Sequence, residues 1–203
     1  MSRRSKTPRE QLGKAAEAIA QAIHSPDLAE ARAAIADDGT LKPGYVRDYV
    51  SGLPVKASPE EIEAVQVFVQ RLVEDYSYPK ERIQTRPQFR VRIRPSDEGR
   101  AFPVDIAVFG SKRKIEDDLF LVVECKKKNR KDGVAQLKLY MDMSPAVLGV
   151  WFNGDEHVYL RKVLKRDGTR EYQELPNIPR YGQRIEDIGL FKRKDLVRPS
   201  NLK

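Results

Sequence analysis

Three charged residues interrupt two runs that are otherwise apolar. Asp105 sits inside Pro103-Val104-Asp105-Ile106-Ala107-Val108-Phe109, and Glu124 and Lys126 close Leu119-Phe120-Leu121-Val122-Val123-Glu124-Cys125-Lys126. Strand side chains alternate between faces, so Glu124 and Lys126, two apart, point the same way. The segment between the runs is short and polar, which predicts an antiparallel hairpin. In-register pairing would set Asp105 opposite Glu124, with Cβ atoms ~4.5–5.5 Å apart. Carboxylates that close repel one another, and burial makes ionisation harder still. Something positive must hold them: Lys126, or a divalent cation. Mg2+ prefers oxygen ligands, takes one or two carboxylates, and fills its shell with water and substrate phosphate. A lysine beside such an ion could orient a water and stabilise negative charge on a phosphorane-like transition state. The competing reading is a structural ion pair of Lys126 with Asp105 or Glu124 at a strand end.

The elements that must position these groups are legible around them. Ser58-Pro59-Glu60-Glu61 reads as a capping box, followed by Ile62, Val65, Phe68, Val69, Leu72 and Val73 at helical spacing. The period then changes to two: Phe89, Val91 and Ile93 alternate with Arg90, Arg92 and Arg94, predicting a strand with one apolar and one arginine face. Strands are expected over 103–109 and 119–126. A helix is expected over 132–143 with Asp132 as its cap, then a buried strand over 147–153 and a hairpin partner over 157–163 across Gly154-Asp155. A weak strand is expected over 172–175. Upstream, Thr7-Pro8-Arg9-Glu10 opens one expected helix, 27–36 reads as a second, and 38–57 as a Gly- and Pro-bearing connector with one helical turn at 46–50. The order α-β-β-β-α-β-β predicts an α/β or α+β core with a mixed sheet. The expected domains are residues 1–57 (helical extension and connector), 58–165 (core) and 166–203 (a segment leading towards further protein).

Composition narrows the partners. The chain has 203 residues, a net charge of +8 and 33% charged residues. No apolar run approaches the ~18 residues needed to span a bilayer, so no membrane role is expected. The basic N-terminus is followed by no apolar segment, so no secretory signal is expected either. One cysteine fits a reducing cytoplasm. Nucleic acid is the first partner such a charge suggests.

Asp105 in PVDIAVF followed by Glu124-Cys125-Lys126 resembles the signature of the PD-(D/E)XK nucleases. Gln136-Leu137-Lys138-Leu139-Tyr140 resembles the QxxxY element of the branch shared by RecB-type nucleases and type I restriction motor subunits. The residues from 58 to 163 are similar to the N-terminal nuclease domain of type I restriction enzymes, including forms fused to an adenine-specific DNA methyltransferase. The resemblance implies a restriction-endonuclease-like fold that hydrolyses double-stranded DNA. It implies that Asp105, Glu124 and the backbone carbonyl of Cys125 bind Mg2+, for which Mn2+ can substitute, and that Lys126 positions the water. Gln136 and Tyr140 would support the site and touch the DNA backbone. Glu61 matches a helix glutamate that assists the metal in some relatives, although its place in the Ser58 capping box explains it without one. Partners implied are methyltransferase, translocase or specificity domains or subunits. With no Gly-rich phosphate loop here, ATP chemistry would belong to those other parts.

Lys126-Lys127-Lys128-Asn129-Arg130-Lys131 leaves the second strand and leads into the QxxxY helix. Lys127, Lys128 and Arg130 are therefore the expected phosphate contacts, while Arg90, Arg92 and Arg94 read first as a solvated strand face and second as a surface serving the same DNA groove. Two rival functions stay open: a silent DNA-binding module that kept the nuclease fold, and a subunit-docking module.

Overall fold

The sequence folds around one long buried strand, and the computed structural model describes residues 26–92 and 101–190. The helix expected to open at Thr7, together with Ile93 and Arg94, lies outside the described residues. In chain order the elements begin with α1 (Pro26–Ala33) and a small ribbon, β1 (Tyr45–Arg47) with β2 (Pro54–Lys56). A π-helical turn over Glu61–Val65 runs into α2 (Gln66–Glu74). Then come β3 (Ile83–Gln84), β4 (Phe89–Arg92), β5 (Ala101–Val104), β6 (Ile106–Phe109) and β7 (Leu119–Cys125). Finally α3 (Val134–Asp142) precedes β8 (Leu148–Phe152), β9 (His157–Leu164) and β10 (Arg170–Leu175).

Six strands form one sheet in the order β10-β9-β8-β7-β6-β3. The β7–β8 pair is parallel, joined through α3, and the other pairs are antiparallel, so the sheet is mixed as expected. Helices cover both faces. Phe68, Val69 and Leu72 of α2 pack with Ile106, Val108, Leu121, Val123, Cys125, Val150 and Phe152. Leu137, Tyr140 and Met141 of α3 pack with Ala107, Phe109, Val122, Trp151 and Leu160 on the other face. Each such aliphatic or aromatic side chain, fully buried, contributes roughly 1.5–3 kcal/mol. A strand covered on both faces reads as a continuous apolar run, which is why LFLVVEC carries no polar alternation before Glu124.

Three expectations are corrected. The helical turn expected at 46–50 is instead the β1–β2 hairpin. Its turn is built by Asp48, whose Oδ2 accepts the Val50 and Ser51 N–H groups, with Gly52 at φ 71°; a side chain that bonds its own backbone two and three residues on competes with helix. The single strand expected over 103–109 is two. β5 pairs only with β4, β6 joins the main sheet, and Asp105 lies between them. The α3 helix begins not at an Asp132 cap but at Gly133, whose φ of 112° suits glycine alone. Among the described residues no helix is long and apolar enough to cross a membrane.

Candidate active site

The β6–β7 ladder pairs Ile106 with Val123, Ala107 with Val122 and Val108 with Leu121. One more step of that register sets Asp105 against Glu124, just beyond the last paired residues. Asp105 Oδ2 accepts the backbone N–H of Cys125 at 2.7 Å, while Oδ1 takes a long 3.3 Å contact from Gln88 Nε2. Glu124 is 2% exposed. Its Oε1 accepts from Lys126 Nζ in a close ion pair, and among the described residues Oε2 accepts no hydrogen bond. The stem of Lys126 runs beside Gly133, where an added Cβ would come within 3.1 Å of Lys126 Cε and 3.0 Å of Trp151 Nε1. Trp151 in turn donates its indole N–H to the Asp132 carbonyl at 2.7 Å. Glycine and tryptophan thus hold the lysine between strand and loop.

Electrostatically the two acids are uneasy. Burial, followed by the charge of Asp105, pushes the Glu124 carboxyl up to about 7 against the pull of Lys126. Burial pushes Asp105 up to about 6 despite the Cys125 N–H. The adjacent Cys125 thiol is raised by burial and by both carboxylates, so it is a core group and no nucleophile. Burial also raises the Tyr140 hydroxyl, with smaller contributions from Glu124 and Asp105, so the tyrosine lies within their field. Gln136 reaches Tyr140 OH through its side-chain amide, as their four-residue spacing on α3 allows.

Residues that hold hard oxygen atoms, half-neutralised and short of partners, fit a Mg2+-sized ion. Asp105 and Glu124 would hold it, with the Cys125 carbonyl beside them. No group of three or more His, Cys, Asp or Glu suited to a metal occurs among the described residues, so such an ion would draw the rest of its shell from water and substrate.

Glu61 is placed differently. Its N–H donates to Ser58 Oγ at 3.1 Å, the first half of the capping box, but its carboxylate does not return to Ser58. It accepts from Gln66 Nε2 and from Arg86 Nη2, each at 2.7 Å, and Gln66 also donates to the buried Asp48. Both oxygens are thereby occupied by protein partners that fasten α2 to the loop before β4. Glu61→Gln should therefore destabilise the fold by roughly 1–3 kcal/mol, because the mostly buried Arg86 loses its counter-charge. Urea unfolding would read that loss, and Mn2+ titration calorimetry should show unchanged affinity; weakened Mn2+ binding at unchanged stability would instead make Glu61 a ligand.

Of the expected phosphate-binding cations, Lys128 pairs with Asp155 at 3.0 Å and Arg130 with Asp132, whereas Lys127 is exposed without an ion pair among the described residues. Sequence reasoning missed Glu60, whose charge acts on Asp105, Glu124 and Lys126 together. It also missed Gln88 and the bracing role of Trp151. Glu60 had a signal, since it neighbours Glu61 in one acidic helix start; Gln88 had none, because only the tertiary fold brings its loop over Asp105.

No curated relative and no solved structure matched the chain. Residues 59–179, more than half of the chain and including Asp105, Glu124, Lys126, Gln136 and Tyr140, match the family described as type I restriction enzyme R protein N terminus (HSDR_N), and the chain belongs to that family.

Proposed function

We propose that this chain is a Mg2+-dependent DNA endonuclease domain of a restriction enzyme, with Asp105, Glu124 and Lys126 as its catalytic residues. The observation that carries the reading is the pair of buried carboxyls, raised to about 6 and about 7, meeting at one strand end with an ammonium on one of them. A bound dication would supply the charge that lets both acids ionise at neutral pH and would neutralise the phosphate under attack. Asp105 and Glu124 would hold that cation, and Mn2+ should substitute for Mg2+. Lys126, held by Gly133 and Trp151, would orient the attacking water and offer a proton donor to the developing negative charge. Tyr140 and Gln136 line the same side from α3. The substrate is double-stranded DNA. Membership of the family points to a larger assembly, with methyltransferase, translocase or specificity parts, and with any ATP-driven step in those parts.

The close Lys126–Glu124 ion pair also suits a second reading, a scaffold in which the pair is purely structural. Nicking of supercoiled plasmid separates the two. Mg2+- or Mn2+-dependent cleavage is expected for the full chain, or for the assembly that contains it, falling to background in Asp105→Asn. Cleavage that survives in Asp105→Asn with the same metal dependence would remove this site from the chemistry.

A further inference from the structure

Most exposed cations beside the site are already matched by acids. Lys128, Arg130 and Lys131 face Asp155, Asp132 and Glu156, so the lysine loop presents little net charge to an incoming polyanion. The β4–β5 ribbon is different. Its register pairs Phe89 with Val104, Arg90 with Pro103, Val91 with Phe102 and Arg92 with Ala101. Val91 and Val104 are buried, and Phe89 meets the Phe109 ring edge-on at 5.5 Å, so that face looks inward. Arg90 and Arg92 stand exposed on the outer face, opposite Pro103 and Ala101. The two strands contain no acidic residue. Among the described residues neither arginine is in an ion pair, and Arg90 makes one contact, from Nη1 to the Ala101 carbonyl at 3.3 Å.

We propose that this outer face is the surface on which the domain grips the DNA backbone, with Arg90 and Arg92 each on a phosphate. Two residues along a strand separate them by ~6.8 Å, close to the step between successive phosphates of one nucleic-acid strand. β5 runs directly into Asp105, so a backbone held on the ribbon is led to the carboxylates. A two-stranded ribbon also has the width to lie along a DNA groove. The identity of the polyanion rests on the proposed nuclease function; the outward charge, unpaired among the described residues, does not.

The test is the salt dependence of duplex DNA binding, read by fluorescence anisotropy in EDTA with the full chain. Each phosphate contact contributes about −0.9 to the slope of log K against log salt. Arg90→Ala/Arg92→Ala should flatten the slope by about 1.8. Between roughly 50 and 200 mM salt the wild type should then lose about tenfold more affinity than the variant. Arg90→Lys/Arg92→Lys should keep the wild-type slope, and Lys128→Ala/Arg130→Ala should change it far less. Should the alanine pair misfold, Arg90→Gln/Arg92→Gln removes the charge and keeps the stems. An unchanged slope in the charge-removing variants, or an equal loss in the loop variant, overturns the proposal. Plasmid cleavage scored in parallel separates the two readings: a ribbon effect without any metal-dependent cleavage sinks the nuclease function alone, and intact cleavage with an unchanged slope sinks the ribbon alone.

Discussion

Lys126→Ala should lower single-turnover DNA cleavage by about 10²–10⁴-fold, the range for loss of a positioned proton-transfer group, and should also weaken the fold. The second effect follows from burial: Glu124 is 2% exposed and Lys126 is its ion-pair partner. Removing one member of a buried pair leaves an uncompensated charge and costs on the order of 3–5 kcal/mol. For a domain of this length that is a fall of ~6–20 °C in melting temperature, largest above pH 7 where Glu124 is ionised. The double variant Lys126→Ala/Glu124→Gln should regain most of the stability and none of the activity. A purely structural ion pair makes the reverse forecast: the double variant would cleave as well as the wild type.

The second large effect is on stability against pH. Asp105 titrates at about 6 in the fold against 3.8 outside it, and Glu124 at about 7 against 4.5. Folded values raised above unfolded ones mean stability that is fully present below pH ~4 and lost as pH climbs through 6 and 7. Each carboxyl accounts for on the order of 3 kcal/mol when ionised. Asp48, held by Thr85, Ser51 and Gln66, is shifted the other way, so the effect is best read as the difference between wild type and Asp105→Asn/Glu124→Gln. Metal-free wild type should lose melting temperature relative to that variant from pH 5 to 8. Mg2+ or Mn2+ should restore it at pH 8, by about 2.7 kcal/mol at one hundred times Kd, and should do little at pH 5, where protons compete for the same oxygens. Thermal scans at the two pH values, with and without the ion, suffice. An equal metal shift in wild type and double variant would place the ion elsewhere.

The placement of the three charged groups was readable from sequence because it depends on parity and register. Asp105, Glu124 and Lys126 break apolar runs, and the symmetric placement of 105 and 124 about the 110–118 loop already implies the pairing that Ile106–Val123 and Ala107–Val122 display. The helices were readable for the same kind of reason: Phe68, Val69 and Leu72 recur at the helical period and bury one face. What sequence could not give is how strands and charged groups choose their partners. The break at Asp105 exists because β5 finds its partner in β4, Arg92 pairing with Ala101 nine residues on. Asp132 loses its capping role to Arg130, and Asp155 and Glu156 reach the lysine loop from a hairpin more than twenty residues away. Cationic runs look available in sequence; whether acids cancel them is decided by the fold.

Asp105 is one of two chain crossings between the β4–β5 ribbon and the six-stranded sheet, the other being residues 85–88. Glu124 is clamped in a strand flanked on both sides, and so behaves as an anvil. Its counterpart is a fulcrum: a tilt of the outer arm is taken up at residues 85–88 and at Asp105, whose carboxylate is tied to the Cys125 N–H. One carboxylate is therefore set inside the sheet and the other at its seam with the ribbon, which makes alignment of the pair sensitive to whatever load the arm carries.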